Sequence, residues 1–180
     1  MRKTLMLALM LPCATAFAAD YVQAPGSTLT FAGTYQGDVF TGRFPGFTTT
    51  FRFDPKQLAT SKLQVVIPLA SAATSNADYD GELRGASFFD AGKFPRATYN
   101  ATTFRARGCN RYAADGVLTL RGISKPVVLE FTWTAGPAPV LTGKATVKRL
   151  AFGVGDGDWA DTTLIPDTIA ISTKVAFKAK

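Results

Sequence analysis

Beyond residue 27, apolar and polar residues alternate with a period of two, the pattern of half-buried β-strands rather than of helices. Leu29, Phe31, Gly33 and Tyr35 alternate with Thr28, Thr30, Ala32 and Thr34, and Phe47, Thr49, Phe51 and Phe53 continue the rhythm. Leu63, Val65, Ile67 and Leu69 share a face, although Val66 and Pro68 make the other side of that strand apolar too. Leu118 and Leu120 stand opposite Val117, Thr119 and Arg121. Val127, Leu129, Phe131 and Trp133 stand opposite Val128, Glu130, Thr132 and Thr134. A strand over 149–154 is expected to turn Leu150, Phe152 and Val154 inward and Arg149 outward. A last strand over 169–178 turns Ile169, Ile171, Thr173, Val175 and Phe177 inward. One apolar and one wetted face is the signature of antiparallel sheet.

Turn signals fall between these runs at Gln36-Gly37-Asp38, Asp54-Pro55, Ala114-Asp115-Gly116, Arg121-Gly122 and Gly136-Pro137, where Gly, Asp and Pro suit the backbone angles of tight turns. Six or more strands at this spacing predict a single all-β domain, a barrel or a sandwich. Residues 75–95 depart from the pattern. Ser75 is placed to cap a short helix running through about Gly85, and a further helical turn is expected over 86–90 before Pro95. An insertion of this size has to lie over an end or an edge of the sheet, where it would act as a lid.

The first residues change the picture of where the protein works. Arg2 and Lys3, the apolar run from Leu5 to Leu11 and the small-residue site Ala16-Phe17-Ala18 read as a cleavable export signal over 1–18, leaving 19–180 as the mature domain. Its apolar run is too short to span about 30 Å of hydrocarbon. Removing it would take away all three Met and Cys13, leaving Cys109 as the single cysteine, so the fold is expected to stand without an internal disulfide.

Composition then excludes much of familiar catalysis. The chain has 180 residues, a formal net charge of +7, 14 Phe and no His. Without His there is no Ser-His-Asp triad, Cys-His dyad or His-ligated metal or haem. No Ser-x-x-Lys or Gly-x-Ser-x-Gly pattern occurs, and the carboxylates are scattered. Phe152-Gly153-Val154-Gly155-Asp156-Gly157-Asp158 lacks the Gly-Lys-Ser/Thr ending of a phosphate loop and the ligand spacing of an EF-hand. No metal site, cofactor or nucleic-acid motif is expected, and catalysis on a lipid through a carboxylate or Cys109 is the weakest reading. Basic residues gather in the middle third, among them Arg84, Lys93 and Arg96, which suit an anionic headgroup or membrane surface if not simply a solvated face.

Ordered motifs carry a resemblance. They are Ser27-Thr28-Leu29-Thr30-Phe31, Phe40-Thr41-Gly42-Arg43-Phe44, Phe51-Arg52-Phe53-Asp54-Pro55, Tyr79-Asp80-Gly81-Glu82-Leu83-Arg84 and Phe88-Phe89-Asp90 with Lys93-Phe94-Pro95. Gly116-Val117-Leu118-Thr119-Leu120-Arg121-Gly122-Ile123-Ser124-Lys125-Pro126-Val127 is the most specific piece. In this order behind an export signal, they resemble the YceI-like family of lipocalin-like, polyisoprenoid-binding bacterial proteins. Glu82 departs from many members, which carry a His there, so no role built on that imidazole transfers.

The resemblance implies an extended eight-stranded antiparallel lipocalin-like barrel with a short helical lid around 75–95. It implies a periplasmic, non-catalytic carrier holding a long isoprenoid lipid or quinone, in transport or an envelope-stress response. Candidate partners are the amphiphile, a membrane surface or a membrane cytochrome, with the protein a monomer or a homodimer. Alternatives are sequestration of lipophilic toxins or antibiotics, and a filled barrel that acts through its surface. The inward sets nominate Phe31, Tyr35, Phe44, Phe51, Phe53 and Leu118 as lumen residues, with Leu120, Leu129, Phe131, Trp133, Phe152, Ile169 and Ile171. Phe88, Phe89, Tyr99 and Trp159 are expected near the mouth. At about 0.8 kcal/mol per buried methylene, about fifteen carbons give a gross ~12 kcal/mol, reduced by the costs of association to micromolar or tighter binding.

Overall fold

The computed structural model describes residues 19–180, so the expected export signal over 1–18 lies outside the described residues. Ten strand segments form one antiparallel sheet: β1 (Ala19–Gln23), β2 (Thr28–Tyr35), β3 (Asp38–Arg43), β4 (Thr48–Phe53), β5 (Lys62–Pro68), β6 (Arg96–Ala106), β7 (Arg111–Leu120), β8 (Ile123–Thr134), β9 (Val140–Lys148) and β10 (Thr168–Ala179). β1 and β2 both pair with β10, while β4 pairs with β1 and β3 with β2. The first four segments are therefore two long strands, each interrupted once, and the sheet closes as an eight-stranded antiparallel barrel.

Where side chains alternate cleanly the strands follow the sequence pattern. In β4, Thr49, Phe51 and Phe53 are buried and Thr48, Thr50 and Arg52 exposed; in β8, Leu129, Phe131 and Trp133 are buried between exposed neighbours. Several expectations are corrected. Ala114-Asp115-Gly116 is no turn but the middle of β7, whose inner positions are small. The segment 149–154 is not a strand: Arg149–Phe152 is a 3-10 turn ended by Gly153 at φ 66°, and Arg149 is buried rather than wetted. β9 was hidden because its inner positions Gly143 and Ala145 carry almost no apolar bulk, although Thr142, Lys144, Thr146 and Lys148 mark its outer face.

α1 (Ala77–Arg84) is capped by Asn76 rather than Ser75: Asn76 Oδ1 accepts from the Asp78 and Tyr79 amides at 2.8 and 3.4 Å. Residues 86–90 form turns rather than a helical continuation. The insertion sits where the wall is incomplete. β5 ends at Pro68, and β3, on its edge away from β2, is bridged only at Arg43–Ala73 among the described residues. Residues 69–95 fill that gap and, with 149–167, cover one end of the barrel.

Candidate functional site: an apolar lumen

The barrel is packed at one end and hollow at the other, and residue size along each inner face decides which. At the packed end the inner positions are aromatic: Phe51 stacks on Phe53 with centroids 4.8 Å apart, Tyr112 stacks on Phe131 at 5.4 Å, and Phe53 meets Trp133 edge-on at 5.3 Å. Tyr21, Phe104 and Phe177 complete the plug. Toward the other end the wall carries Gly33, Gly42, Ala97 and Ala145. Rings there lie flat on the wall instead of crossing the lumen: Phe31 covers its directly paired neighbour Gly42, where a methyl would fall 2.6 Å from Phe31 Cε1. The result is a cavity of ≈ 190 Å³.

Of the residues nominated from sequence, Phe31, Phe44, Leu118, Leu120, Leu129, Ile169 and Ile171 lie on the cavity wall. Phe88 and Phe89 close it from the lid, Phe89 against Phe44 at 5.7 Å and Phe31 at 6.5 Å. Tyr99 also lines the cavity, yet at mid-barrel beside Val65 and Leu118 rather than at the mouth. Its hydroxyl donates to Ala114 O at 2.9 Å, with Val127 O at 3.1 Å, and burial pushes its pKa well above the ordinary 10.0.

Phe51, Phe53, Phe131 and Trp133 share the inner face but belong to the plug, because neighbouring rings occupy the space a ligand would need. Phe152 is buried in its 3-10 turn away from the cavity wall. Tyr35 and Trp159 pack on each other at 6.1 Å, and Trp159 backs Phe88 at 5.4 Å, outside the cavity wall. Arg84 reaches Ala72 O at 3.2 Å, Lys93 Nζ lies 5.3 Å from the Phe94 ring, and Arg96 begins β6. All three lie on or beside the 69–95 segment.

Sequence reasoning missed the residues that hold the lid. Arg149 is 3% exposed, and each of its five N–H donors finds a carbonyl: Nε on Pro166 at 3.3 Å, Nη1 on Val154 and Gly155 at 3.0 and 2.7 Å, Nη2 on Trp159 and Ile165 at 2.8 and 2.7 Å. One guanidinium thus gathers the whole 149–167 segment. Desolvation lowers its pKa from the ordinary value, with Asp167 opposing, and five aligned carbonyl dipoles compensate the buried charge. Arg121 Nη1 donates to Phe88 O at 2.6 Å and to the carbonyls of Ser87 and Gly153, and Gly155 N donates to Ser87 O at 2.7 Å. The β7–β8 hairpin, with Arg121 and Gly122 both at positive φ, thereby fastens both lid segments. A pattern of alternating polarity treats such arginines as outward charges, so only their place beside glycine turns marked them.

The lining is almost wholly apolar; Thr30, Thr49, Tyr99, Thr173 and Arg149 carry its polar groups among the described residues. Such a surface suits contact with a hydrophobic molecule, whose apolar area it would remove from water.

The YceI-like domain family model matches residues 21–177, and the chain belongs to that family. The UPF0312 protein of Vibrio campbellii is 37% identical over 130 residues, covering 70% of this chain and 68% of that protein. Among solved structures, BcnA of Burkholderia cenocepacia superposes with a TM-score of 0.80 at 30% identity, covering 83% of this chain and 95% of BcnA. A polyisoprenoid binding domain from Saccharophagus degradans, implicated in plant cell wall breakdown, has a TM-score of 0.70 at 16% identity, covering 91% and 99% of the two chains; that likeness concerns the fold.

Proposed function

We propose that this protein is exported to the periplasm and there carries a long isoprenoid lipid or quinone in its barrel, without catalysing a reaction on it. The observation that carries this reading is the apolar cavity between the aromatic plug and the lid. The polyisoprenoid binding of the Saccharophagus degradans domain supports it by likeness of fold. The positive start, apolar run and Ala16-Phe17-Ala18 support export.

The cavity of ≈ 190 Å³ is smaller than the roughly 300–1,000 Å³ of pockets that enclose drug-sized ligands. A long chain therefore enters with displacement of Phe88 and Phe89, and Arg121 sets how tightly that segment is held. The exposed Arg96 and Lys93, on or beside the lid segment, suit loading at an anionic membrane surface.

Filling the lumen tests the reading. Leu118 is half-buried because it faces the cavity, so Leu118→Trp adds bulk there without disturbing the plug. Uptake of added ubiquinone or geranylgeraniol should fall at least tenfold while the circular dichroism spectrum and melting stay those of a folded barrel. Uptake unchanged in this variant would place the ligand elsewhere.

A further inference from the structure

The three threonines of the cavity wall are not alike. Thr30 Oγ1 donates to Ser172 O at 3.2 Å and Thr173 Oγ1 to Thr28 O at 2.9 Å. Thr49 is only 3% exposed, and its hydroxyl has no partner. A second buried polar atom without a partner belongs to the adjoining strand. β1 pairs with β4 through Tyr21–Phe51 and Val22–Thr50, so the next inward position of β1, Gln23, falls next to Thr49. Gln23 spends its amide N–H on Phe47 O at 3.1 Å, leaving a buried Oε1 unbonded. Natural interiors rarely leave such groups unmet, because each costs the desolvation it does not recover. Here two orphans, one able to donate and one to accept, stand on adjoining strands beside the plug that contains Phe51; Thr49 is on the cavity wall and Gln23 is not among its lining residues. Rotation of Thr49 about χ1 exchanges its methyl and hydroxyl, which turns the donor into the lumen.

We infer that Thr49 and Gln23 form a polar subsite at the deep end of the lumen for the uncharged terminal oxygen of a prenyl alcohol or quinone, so that the ligand enters oxygen end first. This rests on the isoprenoid-carrier reading and deepens it. A prenyl hydroxyl accepts from Thr49 and donates to Gln23 Oε1; a quinone carbonyl accepts from Thr49. A phosphate ester is excluded from the same place. The one charged side chain on the described wall is Arg149, and all five of its donors are committed to backbone carbonyls. A phosphate would be stripped of water with no free cation to meet it.

Equilibrium dialysis of the full-length mature protein against geranylgeraniol, the hydrocarbon of the same chain lacking the hydroxyl, and geranylgeranyl diphosphate tests this. The alcohol should bind roughly tenfold tighter than the hydrocarbon, in line with satisfying a buried orphan, and the diphosphate should bind weakest. Thr49→Val should bring the alcohol and the hydrocarbon to equal affinity, and Thr49→Ser should retain the preference for the alcohol. Equal binding of alcohol and hydrocarbon by the unaltered protein, a preference that survives Thr49→Val, or diphosphate bound as tightly as the alcohol would overturn the subsite while leaving the carrier reading intact. Failure to bind any of the three would overturn both. The unaltered protein decides the matter even if a variant fails to fold.

Discussion

Tyr99 lies flat across Gly116, close enough that a methyl at position 116 would fall 2.6 Å from Tyr99 Cε2. The two residues sit diagonally on β6 and β7, since Ala101 is the partner of Gly116 and Leu118 the partner of Tyr99. The missing side chain lets the ring hug the wall and send its hydroxyl to Ala114 O, instead of projecting across the lumen. A cavity in this barrel is made as much by glycines under rings as by small residues facing space.

Gly116→Ala should therefore be costly for one added methyl. Its backbone is in a strand, so the penalty is steric, and Tyr99 is locked by its hydrogen bond. A loss of about 2 kcal/mol is expected for such overpacking, which lowers Tm by about 4–8 °C in a domain of this size. A differential scanning measurement checks it; an unchanged Tm would mean that Tyr99 moves away freely.

Arg149→Lys should destabilise the protein although charge is kept. An ammonium has three donors for five carbonyls, so at least two acceptors lose their partner, at about 1–3 kcal/mol each. Urea unfolding should show a loss of about 2–6 kcal/mol of stability. The same stability in the lysine variant would contradict the role assigned to the guanidinium.

Particular elements show what the sequence could and could not reveal. Alternation placed Phe51, Phe131 and Leu129 correctly on the inner face, because period two survives whatever surrounds the strand. It could not separate plug from lumen: Leu129 and Phe131 are two residues apart on β8, yet one faces the cavity and the other is stacked in the plug. That distinction depends on register across eight strands and on side-chain size summed level by level. β6 escaped notice because Ala97 and Ala101 give little apolar signal and a bulge between Ala101 and Thr103 breaks the period. Arg149 misled because alternation assumes that a charge seeks water, whereas five carbonyls here substitute for it.

Arg121→Ala should loosen the lid and leave the barrel folded. The side chain bonds Ser87, Phe88 and Gly153 carbonyls and stands 3.6 Å from Asp156. Amide hydrogen exchange should quicken at least tenfold at Phe88, Phe89 and Gly155 while β7 and β8 stay protected. Ligand exchange should accelerate in parallel. Protection unchanged at these amides would show that the lid is held by its own packing.

Stability should be flat with pH across the middle of the range, since a chain without His has no side chain that ordinarily titrates between about pH 5 and 8. Hydrogen bonds from Arg52 and Arg105 hold Asp20 and Asp115 below their usual 3.8, and Thr74 does the same for Asp80. Lowered carboxylates contribute stability above pH 3.8 that is lost as pH falls through their folded values. Tyr99 is raised by burial above 10.0, so its contribution is complete below that pH and lost above it. Urea midpoints from pH 2 to 11 should show a plateau with two falling limbs. Asp115→Asn should flatten the acid limb and Tyr99→Phe the alkaline one.

Whether the cavity is a binding site is tested most directly by organic extraction of the mature protein purified from its native host, with mass spectrometry of the extract. The carrier account predicts one isoprenoid alcohol or quinone per barrel, lost in Leu118→Trp. An empty extract, together with no uptake of added geranylgeraniol or ubiquinone, would contradict it.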